Sequence, residues 1–351
     1  MGNKLSVLRC LFGGVSPFRR DDVASILIVR MNRLGDMICT IPLIKTVRKA
    51  FPEARITVLA ESSNAEIIRH EPYIDSLLVY KRGTGIYRSR VLNILKILRG
   101  NRFDLAIGVK GGFSSFLATA ALLSGAAFRI GYISRKKRLM NRFYNLPAAP
   151  IDFYGTHQVD ACLNLLHPLG VKEVVKDISI TLPSDNKDSA KAFLISKGLR
   201  PKERLVIFNI SNNRESSTWA AEKFVRLAAY FLKEHNCRFI ISGLPEHEVR
   251  AMSICKSIGP EAFFFKTDSI MDFAAIASFC NVLVTGDGGA SHAGAAAGAL
   301  VITLFGAAPP EVWRPYGEQH ISLKASDSDV NSITVEEVCA AIQAKGIKTC
   351  L

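Results

Sequence analysis

The stretch NVLVTGDGGASHAGAAAGALVITLFG, residues 281–306, decides how the rest of the chain is read. Val282-Leu283-Val284 is a short apolar run of the kind that forms a buried strand, and Gly286-Asp287-Gly288-Gly289 breaks it. Small residues lead through Ser291, His292 and Ala293 to Gly298, and a second buried run follows from Leu300 to Phe305. The order is strand, loop, helix, strand. A loop poor in side chains at the start of a helix leaves backbone N–H groups free to approach an anion, and the helix dipole favours negative charge there. A nucleotide diphosphate suits such a loop; the alternative is an ordinary βαβ crossover whose glycines only permit the turn.

Outward from this stretch the same alternation recurs. Toward the N-terminus, strands are expected at 25–30, 55–60, 76–80, 104–109 and 128–131, and helices at 37–50, 62–70, 88–99, 114–123 and 156–170. Pro42 should kink or restart the first of those helices. After a polar break at Pro183-Ser184-Asp185-Asn186 the pattern starts over, with strands at 205–209, 238–242 and 262–265 and helices at 221–235, 246–258 and 271–279. Strands alternating with helices at this spacing predict an α/β protein of two doubly wound parallel sheets. The expected organisation is a basic amphipathic segment at 1–22, a first domain at 23–180, a second at 188–330 and a C-terminal helix and tail at 331–351. Ligands of open α/β sheets bind at the C-terminal strand ends, so the loops 31–36 and 286–292 are expected to border one cleft.

Charge divides the chain. Residues 1–180 hold 27 Lys and Arg against 13 Asp and Glu, whereas 181–351 hold 18 against 18. The first half therefore calls for an anionic partner: nucleic acid, lipid headgroups or a phosphorylated substrate. Two acid-free basic runs dominate, Lys81–Arg102 and Arg129–Arg142. Residues 1–20 mix Val7, Leu8, Leu11 and Phe12 with cations and could lie on a membrane surface. No run of 18 apolar residues occurs, so no spanning helix is expected. The eight cysteines are scattered, with neither a CxxC knuckle nor a disulfide framework, which fits reduced, buried thiols in a cytosolic protein. No GxGxxG in strand–helix context, Walker loop, HExxH or GxSxG is present, and Asp327-Ser328-Asp329 lies in a polar loop unsuited to a metal.

Among single residues Asp36 stands out, following a buried strand through a glycine at a helix start. There it can serve as a catalytic carboxylate, with Arg33 as the neighbouring positive charge, or merely cap the helix. His292 is a candidate phosphate contact or a packed core histidine. Asp287 would cap the helix or accept from a sugar hydroxyl. Arg214, in the loop after the strand at 205–209, is a candidate diphosphate clamp. Glu246 and Glu248, just beyond the strand ending at Ser242, could accept from ribose hydroxyls, or simply begin a helix.

Three segments together resemble glycosyltransferase family 9, the heptosyltransferases of lipopolysaccharide core synthesis. They are ILIVRMNRLGDMICTIPLIKTVRKAFPEARITVLAE (26–61), FRIGYISRKKR (128–138) with NRFYN (141–145) and the run from His157 to Gly170, and TGDGGASHAGAAAGALVITLFGAAPPEVWRPYG (285–317). The resemblance implies a GT-B fold, with acceptor bound by the first domain and nucleotide sugar by the second. It also implies inverting transfer, without metal or cofactor, from a nucleotide heptose, typically ADP-linked. Asp36 would be the general base. Asp287, Gly288, Gly289 and His292, with Arg214, Ser217 and Glu246 or Glu248, would meet the donor. Arg33, Lys110, Arg129, Arg135, Lys136, Lys137 and Arg138 would meet a phosphorylated glycolipid on the cytoplasmic face of the inner membrane. Where many relatives carry Lys this chain has Ser217, and where they carry Thr it has Gly288, which leaves donor identity open. A transferase using another nucleotide sugar is the nearest alternative. A non-catalytic nucleic-acid-binding module is a further one, although no helix-turn-helix or RNP-type aromatic motif occurs.

Overall fold

The structure, a computed structural model, describes residues 17–82, 87–199, 203–212, 215–234 and 237–345. The chain divides into two compact units at Ile178/Ser179. In the first, strands β1 (Ser25–Arg30), β2 (Arg55–Glu61), β3 (Ser76–Tyr80), β4 (Leu105–Gly108) and β5 (Phe128–Ile130) form one parallel sheet in the order β3-β2-β1-β4-β5. Burial on both faces makes β1 an unbroken apolar run, so its periodicity cannot show which face a residue meets. The second unit holds a six-stranded parallel sheet in the order β11-β10-β9-β6-β7-β8. Its strands are β6 (Arg204–Asn209), β7 (Cys237–Gly243), β8 (Ala262–Lys266), β9 (Val282–Gly286), β10 (Leu300–Phe305) and β11 (Ile321–Lys324). That order places a topological switch point between β6 and β9, the position at which doubly wound sheets bind ligands.

Helices α1 (Leu34–Ile38) and α2 (Ile41–Ala50) follow β1 with a break between them, and Pro42 sits in the first turn of α2, where its missing N–H costs nothing. α3 (Tyr87–Leu98) and α4 (Ser115–Leu123) cover the sheet face that carries Leu27, Val29 and Ala106. The short α5 (Arg138–Asn141) packs on α4, and α6 (Gln158–Asn164) packs on α2. In the second unit, α7 (Ser184–Ser196), α8 (Ala221–Glu234), α9 (Glu248–Ile258), α10 (Ile270–Ala277), α11 (Gly289–Ala296), α12 (Pro310–Trp313) and α13 (Val335–Ala344) complete the layers.

Three helices differ from expectation for local reasons. The segment 62–70 is only a 3-10 turn, Glu66–Ile68, because Asn64 spends its amide on the backbone: Oδ1 accepts from Glu61 N–H and Nδ2 donates to Asn32 O. The helix expected over 156–170 stops at Asn164, and Pro168 shapes a separate 3-10 turn, His167–Leu169. The polar break read as linker is partly α7, which packs on α10 and is pinned by Asn186 Nδ2 donating to Asp272 Oδ1 at 2.8 Å. The C-terminal helix α13 joins the second unit's core, since Val335, Val338 and Ile342 share a cluster with Trp219, whose indole N–H donates to Ile333 O at 3.0 Å.

Candidate active site

In the first unit the C-terminal end of β1 presents Asp36, and the cation that holds it is Arg30 rather than Arg33. The Arg30 side chain is 0% exposed; its Nη2 lies 2.5 Å from Asp36 Oδ1 and its Nη1 donates to Val109 O at 2.8 Å. Arg33 is exposed and offers only its backbone N–H, 3.4 Å from Oδ2. Asp36 thus has one oxygen clamped and the other near the helix start, with 13% of the side chain exposed. Ahead of it Asn32 takes a left-handed backbone, φ 96°, which Asn tolerates better than most residues. Its N–H donates to Glu61 Oε2 at 3.4 Å, and its carbonyl accepts from Ser63 and Asn64. Glu61, itself buried, also binds Arg82 through both carboxylate oxygens at 2.9 Å. Beneath the loop burial pushes the thiols of Cys39 and Cys162 up, so neither offers a thiolate nucleophile.

Lys110 follows the Val109 carbonyl that Arg30 grips and is half-buried at the end of β4, so the structure gathers Asp36, Arg33 and Lys110 on neighbouring strand ends. Arg135, Lys136, Lys137 and Arg138 are exposed on the segment after β5. Arg129 does not belong with them. It is 1% exposed inside β5, donating from Nε to Phe143 O and from Nη1 to Ala126 O, both at 2.7 Å. Its donors satisfy the main chain, and it is withdrawn from the acceptor contacts. A cation count along the sequence cannot separate it from its exposed neighbours.

In the second unit the β9–α11 junction brings Asp287, Gly288, Gly289, His292 and Ser217 together. Asn212 ties the junction down by donating from Nδ2 to Ser217 O at 3.0 Å and to Asp287 O at 2.9 Å. Gly286 is required by close approach, since a Cβ there would lie 2.0 Å from Ser217 O. Gly288 is not, because its backbone is extended and a Cβ would meet only Asn212, at 3.8 Å. Ser291 Oγ donates to Gly288 O at 2.8 Å, and His292 is buried one turn into α11. Below the junction Asn209 Nδ2 donates to Thr285 Oγ1 at 3.0 Å and Ser242 Oγ to Asn209 Oδ1 at 3.3 Å, locking the ends of β6, β7 and β9. Arg214 lies outside the described residues.

Glu246 and Glu248 are exposed at the turn after β7. Between them His247 Nδ1 pairs with Ser211 Oγ at 2.8 Å, a contact that sequence spacing did not reveal. Leu244 N–H donates to the same oxygen, also at 2.8 Å, so Ser211 ties the loop after β6 to the turn after β7.

Comparison with known proteins places these strand ends in context. The model of glycosyltransferase family 9 (heptosyltransferase) matches residues 91–342. Lipopolysaccharide heptosyltransferase 3 from Escherichia coli is 25% identical over 305 residues, covering 85% of this chain and 87% of its own. The lipopolysaccharide core heptosyltransferase OpsX from Haemophilus influenzae is 21% identical, covering 83% and 82%. Among solved structures, the glycosyl transferase family 9 protein from Veillonella parvula superposes with a TM-score of 0.82 at 23% identity, over 95% of this chain and all of its own. E. coli heptosyltransferase WaaC with ADP superposes with a TM-score of 0.70 at 20% identity, over 92% and 99%. At those identities the structures carry the fold, GT-B.

Proposed function

The chain belongs to glycosyltransferase family 9, the heptosyltransferases, and from that premise we propose that it moves a heptose from an ADP-linked donor to a phosphorylated glycolipid of the lipopolysaccharide core. The observation that carries the reading is the Arg30–Asp36 pair: a carboxylate fixed at a strand end by a guanidinium that has no exposure of its own. The reaction is a single displacement with inversion. The acceptor hydroxyl bonds to the anomeric carbon as its proton passes to Asp36, and the bond to the nucleoside diphosphate breaks with its electrons leaving on the phosphate oxygen. A carboxylate helps most late in such a step, when the hydroxyl has become acidic through bonding to an electrophilic carbon. The departing charge is met by N–H groups at the start of α11, whose dipole favours an anion, with no metal taking part. Arg33 and Lys110, with the exposed cations 135–138, receive the acceptor's phosphates, and the lipid anchor of such an acceptor puts the enzyme at the inner-membrane surface. No helix among the described residues is long and apolar enough to cross a membrane.

Asp36→Ala is expected to lower kcat for heptose transfer by about 10²- to 10⁴-fold, the usual worth of a general base, while ADP still binds in a calorimetric titration. Full turnover by that variant would overturn the reading. Ser217 and Gly288 favour one alternative, a different nucleotide sugar, because the family resemblance implies Lys and Thr at these two positions beside the donor. A thermal-shift panel of ADP-, GDP- and UDP-sugars separates the two: stabilisation by ADP-heptose alone supports the first reading, and by a GDP- or UDP-sugar alone the second.

A further inference from the structure

We infer that the outer surface of α3 and the segment 133–142 docks the first unit onto an anionic phospholipid bilayer. The inference rests on the proposed glycolipid acceptor for the identity of the membrane and shares the cations 135–138 with the proposed acceptor contacts; the surface itself is argued from exposure and charge. The solvent face of α3 carries Leu92 and Leu95, 52% and 40% exposed, in one stripe with Lys96 and Arg99. On the segment after β5, Ile133 and Leu139, 45% and 73% exposed, are interleaved with Arg135, Lys136, Lys137, Arg138 and Arg142, all exposed. α3 packs on α4 and α4 on α5, so the two segments are both neighbours of α4 in the first unit. Both segments follow strand ends on the edge that carries Asp36.

Charge complementarity selects the partner. Residues 81–151 contain fourteen Lys and Arg and a single acid, Asp104. Asp104 is half-buried ahead of β4, where it accepts the N–H groups of Ala24 and Ser25 at 2.9 Å. A water-facing helix needs no leucines beside its lysines, and a purely electrostatic nucleic-acid surface would not gain from them. Leucines flanked by long cations fit a bilayer interface, where the apolar tips enter the acyl boundary and the cations meet lipid phosphates. Near an anionic surface each such cation raises partitioning by roughly fivefold.

The test is flotation of the full-length protein with vesicles of phosphatidylcholine alone or mixed with phosphatidylglycerol. It needs neither donor nor turnover, so its failure is separate from failure of the transfer assay on a detergent-dispersed acceptor. Wild type is expected to float only with the anionic vesicles, and less so as salt rises. Leu92→Glu/Leu95→Glu/Leu139→Glu and, separately, Lys136→Glu/Lys137→Glu/Arg138→Glu should each weaken flotation by at least about tenfold, with unchanged stabilisation by ADP showing an intact fold. Equal capture by neutral and anionic vesicles, no capture by either, or capture that both variants leave intact would overturn the inference. A concentration-dependent dimer in sedimentation that the leucine variant dissolves, without vesicle capture, would give the surface to a second copy instead. Salt-sensitive RNA binding without vesicle capture would give it to nucleic acid.

Discussion

At the scale of single residues, the place of Asp36 at a helix start beyond β1 could be read from sequence because a strand, a glycine and a helix start converge on it. Arg30 could not: it is the last residue of an apolar strand, where a cation reads as a strand end turning to solvent, and only the register of β1 beside β4 shows it buried against Val109 O. A buried charge that loses its partner costs about 3–5 kcal/mol, so Arg30→Met should lower the melting midpoint sharply. Arg30→Lys keeps the charge but has one ammonium for two partners, Asp36 Oδ1 and Val109 O. It should retain the fold while kcat falls by about tenfold or more and ADP affinity stays constant. Wild-type kcat in Arg30→Lys would mean that the pair serves stability alone. Arg129 teaches the converse, since a cation inside a basic run is silent in sequence about whether its donors face water or the main chain.

At the scale of elements, glycine content pointed to the β9–α11 loop, but the glycines do different work. Gly286 lets the 3-10 turn Glu215–Ser217 come against β9, a contact between segments far apart in sequence that no local pattern encodes. Gly286→Ala should therefore push that turn away, break the Asn212 bridges to Ser217 O and Asp287 O, and raise donor KM by about tenfold or more while costing about 1–3 kcal/mol of stability. Gly288→Thr should do the opposite. Its extended backbone and the 3.8 Å clearance to Asn212 accept a side chain, and the added hydroxyl supplies a donor beside the N–H groups at the start of α11. Unchanged melting with a lower KM for ADP-heptose is expected, and a loss of stability comparable to that of Gly286→Ala would refute the distinction. The helices that sequence misplaced share a cause. Asn64 and Pro168 redirect the backbone by side-chain bonding and ring geometry, which apolar periodicity does not register.

At the scale of the whole molecule, two parallel sheets were legible from strand–helix alternation, because buried strands leave β-branched runs whatever their neighbours. β11 and α12 were not, since neither leaves a long enough apolar pattern; their place depends on β10, against which β11 pairs from Ile302↔Ile321 to Phe305↔Lys324. The same edge holds a group that ties stability to pH. His320 is buried ahead of β11, and its Nδ1 accepts the Val301 N–H at 3.1 Å. Burial, with Lys345 and Arg314 adding to it, pulls its pKa down to about 4. The unfolded chain binds that proton near pH 6.5 and the folded chain near 4, so the neutral imidazole's contribution is complete above about 6.5. It declines as pH falls toward 4, by up to about 3 kcal/mol in all. His320→Asn keeps an oxygen that can accept from Val301 but does not titrate. The melting temperature of wild type relative to this variant should therefore fall between pH 7 and pH 4.5, a comparison in which the carboxylates common to both cancel. A difference that stays constant across that range would show that the β10–β11 edge does not resist protonation.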